Sequence, residues 1–312
     1  MKVLFVSSGN NKFGISPIVK TQGDSLKKTG IEVEYFTIKG KGFSGYLKNI
    51  FVLRKYLKAG NYNIIHSHFF LSSVVATFSN PSNLVVSLMG SDVYTSNTWN
   101  SFIRLLSKRW KRLIVKSDRM KEILKIDNIN VIPNGVDLEK FYLVDKRNAR
   151  EKLNWDFNKS YILFSLSITR PEKNYRLALH ALQPLMNKLE LITLQNIPHE
   201  EIVYYLNAAD VLLMTSEYEG SPNIIKEAMA CNCPIVTTDV GDVKWVIGET
   251  EGCYITTFES SDIRNKINKA LQFVSGKNRT KGRERIIMLG LDTVTIADKI
   301  KKLYTDVLNN AS

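Results

Sequence analysis

The sequence contains little cysteine and no long apolar run. Its three cysteines, Cys231, Cys233 and Cys253, are odd in number and have no metal-ligand residues beside them. This excludes a disulfide-stapled scaffold and indicates small buried thiols in a reducing compartment. No apolar run approaches the ~20 residues needed to cross a bilayer. The apolar start, Met1–Val6, is followed at once by a polar stretch, so it predicts a buried first strand rather than a signal peptide. We therefore expect a cytoplasmic protein.

Two common ligand-binding signatures are also missing. The loop after the first strand, Gly9–Gly14, lacks the G-x-G-x-x-G spacing of the nicotinamide fingerprint. Gly14 can still let the backbone approach a phosphate, with a plain turn as the equal alternative. No Asp-x-Asp metal-binding pair occurs. His66 and His68 have no third ligand nearby, so we expect one imidazole to face the core and the other to face a cleft.

The sequence has an excess of positive charge, and the excess is unevenly placed. The 312 residues have a net charge of +13 and a hydrophobic content of 44%, enough for one large domain or two ordinary ones. Residues 1–140 contain 21 Lys and Arg against 9 Asp and Glu, whereas the remainder contains 22 against 21. This asymmetry predicts two domains with different partners, one of which meets an anionic surface or substrate.

The first half alternates short apolar runs with longer amphipathic segments, the pattern of a doubly wound parallel sheet. Pro17–Lys28 and Tyr46–Leu57 have helical spacing. The predicted strands are Lys2–Val6, Ile31–Thr37, Tyr62–His66, Leu84–Leu88, Leu113–Val115 and Asn130–Ile132. Ligands of such sheets bind beyond the carboxyl ends of the strands. The stretches predicted to lie there are Gly9–Ser16, His66–Phe69, Met89–Tyr94 and Pro133–Asp137.

A second α/β series follows a polar, charged stretch at residues 138–158. Its predicted strands are Tyr161–Leu166, Glu190–Leu194, Val211–Met214, Pro234–Thr237 and Cys253–Thr256. After the first of these come Arg170 and Lys173, two cations at a spacing that can converge on one diphosphate. A solvated basic turn is the alternative.

The basic excess is concentrated on two segments of the first half. From Trp99 to Lys125, apolar and aromatic residues recur at helical spacing among lysines and arginines, and Tyr46–Lys58 adds a second basic surface. A basic amphipathic helix with aromatics suits an anionic membrane surface. A core-packed helix with a solvated basic face is the equal alternative. Nucleic acid is not expected, because no recognition motif accompanies the charge.

Residues 216–234 have the chemistry of a ligand site. Ser221 predicts a helix N-cap, and Pro222 suits the first helical position. The amides of Asn223 and Ile224 would then be unpaired donors at the positive end of a helix dipole, which attracts anions.

Two carboxylates bracket this helix start. Glu219 precedes it, and Glu227 lies about one and a half turns into the helix. The arrangement suits a ligand with both a phosphate and several hydroxyls, meaning a sugar nucleotide; an ordinary strand, turn and capped helix is the alternative. Asp92, the only acidic residue between Glu34 and Asp118, is a further candidate, with helix capping as its alternative.

Together these residues resemble the retaining glycosyltransferases of family 4, which have the GT-B fold of two facing Rossmann-like domains with a cleft between them. Glu219 and Glu227 are separated by seven residues, as in that family's paired-Glu motif, and Arg170-x-x-Lys173 looks like its diphosphate pair. Weaker landmarks are Asn207–Asp210, Val131–Asp137 and Gly90–Asp92.

The resemblance runs from the first strand to about Gly248. Met89 is a departure, because many relatives carry at that position a His that contacts the donor sugar. Because this histidine is absent, Asp92 becomes the favoured candidate for the polar group that faces the acceptor or the sugar. Ile38–Leu57 is similar to members that build bacterial surface polysaccharide.

The resemblance implies a role for each site residue. Arg170 and Lys173 would neutralise the leaving nucleoside diphosphate. Glu227 would accept hydrogen bonds from the ribose, and Glu219 would hold the donor sugar. The catalytic set implied by the resemblance is Arg170, Lys173, Glu219 and Asp92. The donor-binding set is Gly14, Arg170, Lys173, Glu219, Gly220, Ser221, Pro222, Asn223, Ile224 and Glu227. We expect no metal and no other cofactor.

The resemblance also implies the domain plan and the reaction. Residues 1–140 would bind the acceptor, residues 141–290 would bind the nucleotide sugar, and a helix at 291–312 would pack back on the first domain. The expected reaction is transfer of a hexose from a UDP-sugar, or second a GDP-sugar, to a lipid-linked or surface-polysaccharide acceptor at the inner membrane face. The base would be read near Gln195–Pro198. A GT-B epimerase or phosphorylase and a non-enzymatic basic module that binds membrane or nucleic acid are the alternatives.

Overall fold

The computed structural model describes residues 1–10, 14–40, 42–164, 168–276 and 278–310. Contacts within the chain divide it into two compact units. The first is Met1–Gly135 together with Thr293–Ser312, and the second is Val136–Asp292. Part of the predicted loop Gly9–Gly14 (residues 11–13) and the end of the predicted strand Tyr161–Leu166 (residues 165 and 166) lie outside the described residues.

A parallel six-stranded sheet forms the centre of the first unit. The strands are β1 (Lys2–Ser8), β2 (Glu32–Ile38), β3 (Ile64–His68), β4 (Leu84–Ser87), β5 (Arg112–Val115) and β6 (Ile129–Val131). Their order across the sheet is β2-β1-β3-β4-β5-β6. The helices between them are α1 (Pro17–Lys28), α2 (Gly42–Ala59), α3 (Phe70–Phe78), α4 (Ser91–Tyr94), α5 (Asn97–Ser107) and α6 (Asp118–Leu124). Strands β3 and β4 are buried at every position, which requires cover on both faces of the sheet.

The second unit has a parallel sheet of five strands in the order β11-β10-β9-β7-β8. They are β7 (Ser160–Phe164), β8 (Leu189–Thr193), β9 (Val211–Met214), β10 (Ile235–Thr238) and β11 (Cys253–Thr256). The helices are α7 (Lys146–Lys152), α8 (Tyr175–Leu182), α9 (Ile202–Ala208), α10 (Asn223–Ala230), α11 (Val243–Ile247), α12 (Ser260–Ser275) and α13 (Gly282–Met288). Every predicted strand is present, and its bounds lie within two residues of the predicted ones wherever those fall on described residues. The predicted class of two Rossmann-like units is confirmed.

The last helix, α14 (Thr293–Asn309), belongs to the first unit. Its buried side chains recur at helical spacing: Ile296, Ile300, Leu303, Tyr304 and Val307. On its exposed side, Lys301 Nζ donates to the carbonyl oxygen of Thr29, just after α1, at 2.8 Å. Burial of this apolar stripe therefore places the end of the chain on the first unit.

His66 and His68 are both fully buried, so the prediction that one of them faces a cleft is wrong. They lie two positions apart on β3 and therefore point to the same face of the sheet. His66 hydrogen-bonds the hydroxyls of Tyr304 at 2.5 Å and Ser87 at 2.8 Å. The rings of the two histidines stack with centroids 4.3 Å apart. Burial lowers the pKa of both imidazoles well below the ordinary value, so they are neutral.

Asn207 and Asp210, which the sequence analysis named as a family landmark, form hydrogen bonds with residues 144–150 at the start of the second unit. The Asp210 carboxylate accepts hydrogen bonds from Lys146 Nζ at 2.5 Å and from Arg150 Nη2 at 2.9 Å. Asn207 Oδ1 accepts from the amide of Val144 at 2.9 Å. The landmark therefore has a structural role at the start of this unit.

The three cysteines are free thiols. Burial raises the pKa of Cys233 to about 11 and that of Cys253 to about 12, so both stay protonated at neutral pH. Within the described residues, no helix is sufficiently long and apolar to span a bilayer.

Candidate active site

The two predicted cations lie on the loop that follows β7. The chain leaves this loop through Asn174, whose φ of 51° is a left-handed conformation that asparagine tolerates. The Lys173 ammonium is paired with the Glu219 carboxylate, and Arg170 is paired with Glu172. The side chains of Lys173 and Glu219 are 13% and 17% exposed, whereas that of Arg170 is 53% exposed. Arg170 is therefore the more accessible of the two cations to an anion in solution.

The loop after β9 is fastened to this cation-bearing loop. The Thr215 hydroxyl donates to the Lys173 carbonyl at 2.9 Å, and the Glu217 amide donates to the Glu172 carbonyl at 2.8 Å. Strands β7 and β9 are neighbours in the sheet, so the loops at their carboxyl ends meet at one edge. This brings the predicted diphosphate pair together with Glu219, which is 46 positions further along the chain than Lys173.

Glu219 is held through one of its two carboxylate oxygens. Oε1 accepts from the Ser216 hydroxyl at 2.9 Å and also contacts Lys173 Nζ. Over the described part of the chain, Oε2 has no hydrogen-bond partner. One oxygen is thus fixed by the protein, and the other can accept a hydrogen bond from a ligand hydroxyl.

The backbone around Glu219 packs directly on Gly241. We expect Gly241→Ala to destabilise the protein by about 2 kcal/mol and to weaken nucleotide binding. Gly241 has φ 58°, and a Cβ there would lie 2.5 Å from the Gly220 carbonyl oxygen and 2.8 Å from that of Glu219. Urea unfolding and calorimetric titration with UDP measure the two effects. The control is Gly30→Ala, where φ is 83° but an added Cβ would meet no described heavy atom within 4 Å beyond the glycine and its two chain neighbours. If UDP affinity is unchanged in Gly241→Ala, the packing does not position Glu219.

Helix α10 begins one residue later than predicted, so the assignment of Ser221 as its N-cap is wrong. Pro222 occupies the N-cap position, with φ −69° and ψ 119°, and no side-chain cap bond forms. Asn223 and Ile224 become the first two helical residues. Both lie in the first turn of the helix, and contact of their amides with an anion stays a prediction.

Ser221 instead belongs to a buried polar network beneath the helix start. Its hydroxyl donates to Asp242 Oδ2 at 2.5 Å and accepts from Lys226 Nζ at 2.6 Å. Burial lowers the pKa of Lys226 and raises that of Asp242, and each charge partly opposes the shift of the other. The network ties α10 to the residue that precedes α11, so the Ser221 hydroxyl is engaged within the protein.

Glu227 is almost buried, and its partner is a residue that the sequence analysis missed. His199 Nε2 hydrogen-bonds Glu227 Oε1 at 2.9 Å, and the His199 ring packs edge-on against Phe141 with centroids 5.4 Å apart. The bond to Glu227 raises the pKa of His199 against the opposing effect of burial. A single histidine forms no motif that would mark it as a site residue. The sequence offered one indication, which is that His199 directly follows Gln195–Pro198, where base recognition was predicted.

We expect the pKa of His199 to lie above its ordinary value of ~6.5 and to fall in Glu227→Gln. The carboxylate is the main group favouring the protonated ring, and burial, which favours the neutral ring, remains after the substitution. Because the pKa is raised in the folded protein, the stabilisation is complete below about pH 6.5 and is lost as pH rises through the folded-state pKa. A two-dimensional NMR titration measures the change. The exposed Glu217→Gln is the control; an unchanged His199 pKa in Glu227→Gln would contradict the assignment.

Asp92 and Gly14, the predicted site residues of the first unit, have different surroundings. The buried Asp92 carboxylate accepts hydrogen bonds from the amides of Phe70 at 3.0 Å and Met89 at 2.7 Å. Burial raises its pKa, against the effect of these two bonds. It thereby joins the start of α3 to the loop after β4, and contact of Asp92 with a sugar stays a prediction. Gly14 has φ 76° with open space around it, so backbone conformation is what favours glycine there.

Two protein families match separate parts of the chain. Glycosyltransferase Family 4 matches residues 15–140, and Glycosyl transferases group 1 matches residues 183–285. Together they cover well over half of the chain and reach into both units. The chain belongs to glycosyltransferase family 4. Within this glycosyltransferase, both members of the paired-Glu motif fall in the second match.

A curated relative matches the glycosyltransferase along nearly its whole length. It is the UDP-Gal:alpha-D-GlcNAc-diphosphoundecaprenol alpha-1,3-galactosyltransferase of Escherichia coli. The two sequences are 27% identical over 96% of this chain and 91% of the relative.

Solved structures show the same fold. Sucrose-phosphate synthase from Thermosynechococcus elongatus has a TM-score of 0.84 at 19% identity, covering 100% of both chains. HepE from Anabaena, crystallised with UDP-glucose, has a TM-score of 0.75 at 19% identity, covering 98% of this glycosyltransferase and 100% of HepE. The fold of this family 4 glycosyltransferase is therefore GT-B.

Proposed function

We propose that this glycosyltransferase moves a hexose from a nucleotide sugar to a saccharide acceptor, with retention at the anomeric carbon. The observation that carries the proposal is the convergence of Lys173 on Glu219 at the carboxyl edge of the second sheet, beside the helix that bears Glu227. UDP is the nucleotide proposed first and GDP second. The complexes of HepE with UDP-glucose and the UDP-galactose named for the Escherichia coli relative support UDP.

In the proposed reaction, the bond between the anomeric carbon and the diphosphate oxygen breaks, and its electron pair leaves with the diphosphate. Positive charge develops on the sugar and negative charge on the departing phosphate. Fixed cations at Arg170 and Lys173 stabilise that negative charge. The acceptor hydroxyl oxygen bonds to the anomeric carbon on the face from which the diphosphate left, and the hydroxyl proton passes to the departing diphosphate oxygen. We propose that these protein cations suffice without a metal ion.

The remaining donor contacts follow from the same geometry. Glu227 accepts hydrogen bonds from the ribose hydroxyls, and the free Oε2 of Glu219 accepts from a sugar hydroxyl. The first-turn amides of Asn223 and Ile224 donate to the donor's sugar or phosphate oxygens. In the first unit, the backbone at Gly14 and the carboxylate of Asp92 are the proposed contributors from the acceptor-binding side.

The proposed acceptor is a lipid-linked saccharide at the inner face of the membrane. The Escherichia coli relative is named for a diphosphoundecaprenol-linked acceptor. The first unit carries the basic excess, and on α5 the side chains of Phe102 and Leu105 are 54% and 60% exposed. Exposed apolar groups close in sequence to the cations Arg104, Lys108 and Arg109 suit a peripheral contact with anionic lipid.

A thermal-shift screen of nucleotides and nucleotide sugars tests the donor. A ligand at ~100 times its dissociation constant adds about 2.7 kcal/mol to stability, so UDP and UDP-hexoses should raise Tm more than their GDP counterparts. Transfer of labelled sugar to a lipid-linked acceptor, with anomeric configuration read by NMR, tests the reaction. Epimerised donor or free sugar phosphate in place of transfer would favour the epimerase or phosphorylase alternative. No shift with any nucleotide would favour a non-enzymatic module.

A further inference from the structure

A cavity lies in the first unit, at the amino ends of strands β3 and β4. Its volume is about 780 Å³, and it is lined by parts of α2 and α3, the segments entering β3 and β4, and the residues after α5. The predicted acceptor side lies beyond the opposite, carboxyl ends of these strands. The cavity is therefore separate from every site residue assigned above.

Three cations from two parts of the chain line this cavity. Arg54 and Lys58 lie one turn apart on α2, and Arg109 follows α5. Among the described lining residues none is acidic, and within the described chain none of the three cations forms an ion pair. Lys173 and Arg170, by contrast, each have a glutamate partner. Because no carboxylate of the described chain neutralises these three cations, the cavity favours binding of an anion from solution.

The protein holds two of these cations in place. Arg54 Nη2 donates to the Phe78 carbonyl at 2.8 Å, and the Arg109 guanidinium lies over the Phe78 ring at 5.9 Å from its centroid. Next to Arg109, the buried Trp110 donates from Nε1 to the Thr77 hydroxyl at 2.8 Å. The two guanidinium groups are thus oriented by packing and hydrogen bonding, which reduces the entropy lost when they bind an anion.

One acidic residue, Glu34, lies behind the cavity wall, but it does not neutralise the three lining cations. Glu34 contacts the hydroxyl of Tyr62, a lining residue. Its carboxylate is also paired with Lys2 Nζ at 2.8 Å. The cavity therefore keeps its positive character.

We propose that this cavity binds a phosphate group. Two guanidinium forks and an ammonium match the charge and the several oxygens of a phosphate, and Asn61 and Ser82 add polar lining. The volume accommodates the phosphate with an organic substituent. A phospholipid headgroup and a small soluble phosphate ester share this chemistry. The exposed Phe51, one turn before Arg54 on α2 and 70% exposed, favours the headgroup, since it gives the acyl region an apolar contact.

The test compares Lys58→Glu with Lys48→Glu. Both residues are exposed on α2, both substitutions change the charge equally, and the two positions are about 15 Å apart along the helix. One probe is flotation with phosphatidylglycerol vesicles against phosphatidylcholine vesicles, and the other is calorimetric titration with glycerol phosphate. We expect Lys58→Glu to weaken binding by about tenfold or more and Lys48→Glu to stay within about twofold of wild type, since the proposal concerns one site.

The two probes separate the sources of the phosphate. If the protein binds glycerol phosphate and Lys58→Glu abolishes that binding, the ligand is a soluble ester. If it binds only the anionic vesicles, and Lys58→Glu but not Lys48→Glu weakens that binding, the ligand is a headgroup. Far-ultraviolet circular dichroism confirms that the variants fold. Absence of binding to both probes, or equal weakening by the two substitutions, overturns the proposal. Sugar transfer to a soluble acceptor should be unchanged in Lys58→Glu, so this result is independent of the proposed enzyme activity.

Discussion

Glu227→Ala should weaken UDP binding by about 100-fold or more. Hydrogen bonds to a charged group contribute about 1.5–3 kcal/mol each, and in the proposed complex the ribose offers two hydroxyls to this carboxylate. The Glu227 side chain is only 7% exposed, so water replaces the lost contacts poorly. The substitution also leaves His199 without the carboxylate to which it is bonded. Isothermal titration calorimetry with UDP measures the affinity, and unfolding in urea establishes that the variant is folded.

Two further variants show whether this loss is specific. Glu217→Ala removes an exposed carboxylate from the same loop system and should leave UDP affinity within about twofold of wild type. Glu227→Gln keeps the shape of the side chain but removes its charge, and it should fall between wild type and Glu227→Ala. UDP binding that is equal in wild type and Glu227→Ala would exclude Glu227 from the ribose site.

The strands could be predicted because their signal is local. Val211–Met214 and Cys253–Thr256 are short runs of mainly apolar residues between polar stretches, and the structure has both with the predicted bounds. The apolar stripe on α14 is also a local pattern, since side chains three or four residues apart share a helix face. The parallel order of the strands then placed the loops of β7 and β9 at one edge, where the paired-Glu segment meets the cations.

The errors and omissions depend on contacts distant in the sequence. Ser221 has the composition of an N-cap, but its hydroxyl is taken by Asp242, 21 positions away. His199 hydrogen-bonds Glu227, which is 28 positions later in the chain, and no local sequence pattern predicts such a pair. For His66 the deciding contact is Tyr304, 238 positions later. Tertiary hydrogen bonds decided each of these outcomes, and residue type alone does not reveal them.

Lys173→Ala should lower kcat by about 10²–10³-fold, with a smaller effect on UDP affinity. In the proposed reaction, negative charge develops on the diphosphate beside this ammonium, so its contribution should be greatest in the transition state. Lys173 also neutralises Glu219, so its removal leaves the Glu219 carboxylate with Ser216 as its remaining partner. Steady-state transfer kinetics separate kcat from KM. Lys173→Arg keeps the charge and should retain more activity than Lys173→Ala, although a planar guanidinium does not reproduce the geometry of an ammonium.

The kinetics need a control for charge and a control for metal. Lys188→Ala removes an exposed lysine from the same unit and should leave kcat unchanged. In the proposed mechanism Arg170 and Lys173 supply the positive charge that a metal would otherwise provide, so wild-type activity should persist in EDTA. Loss of activity in EDTA with recovery on adding Mg²⁺ would show that the protein cations do not suffice. A kcat for Lys173→Ala within a few-fold of wild type would remove Lys173 from transition-state stabilisation and leave it the structural role of neutralising Glu219.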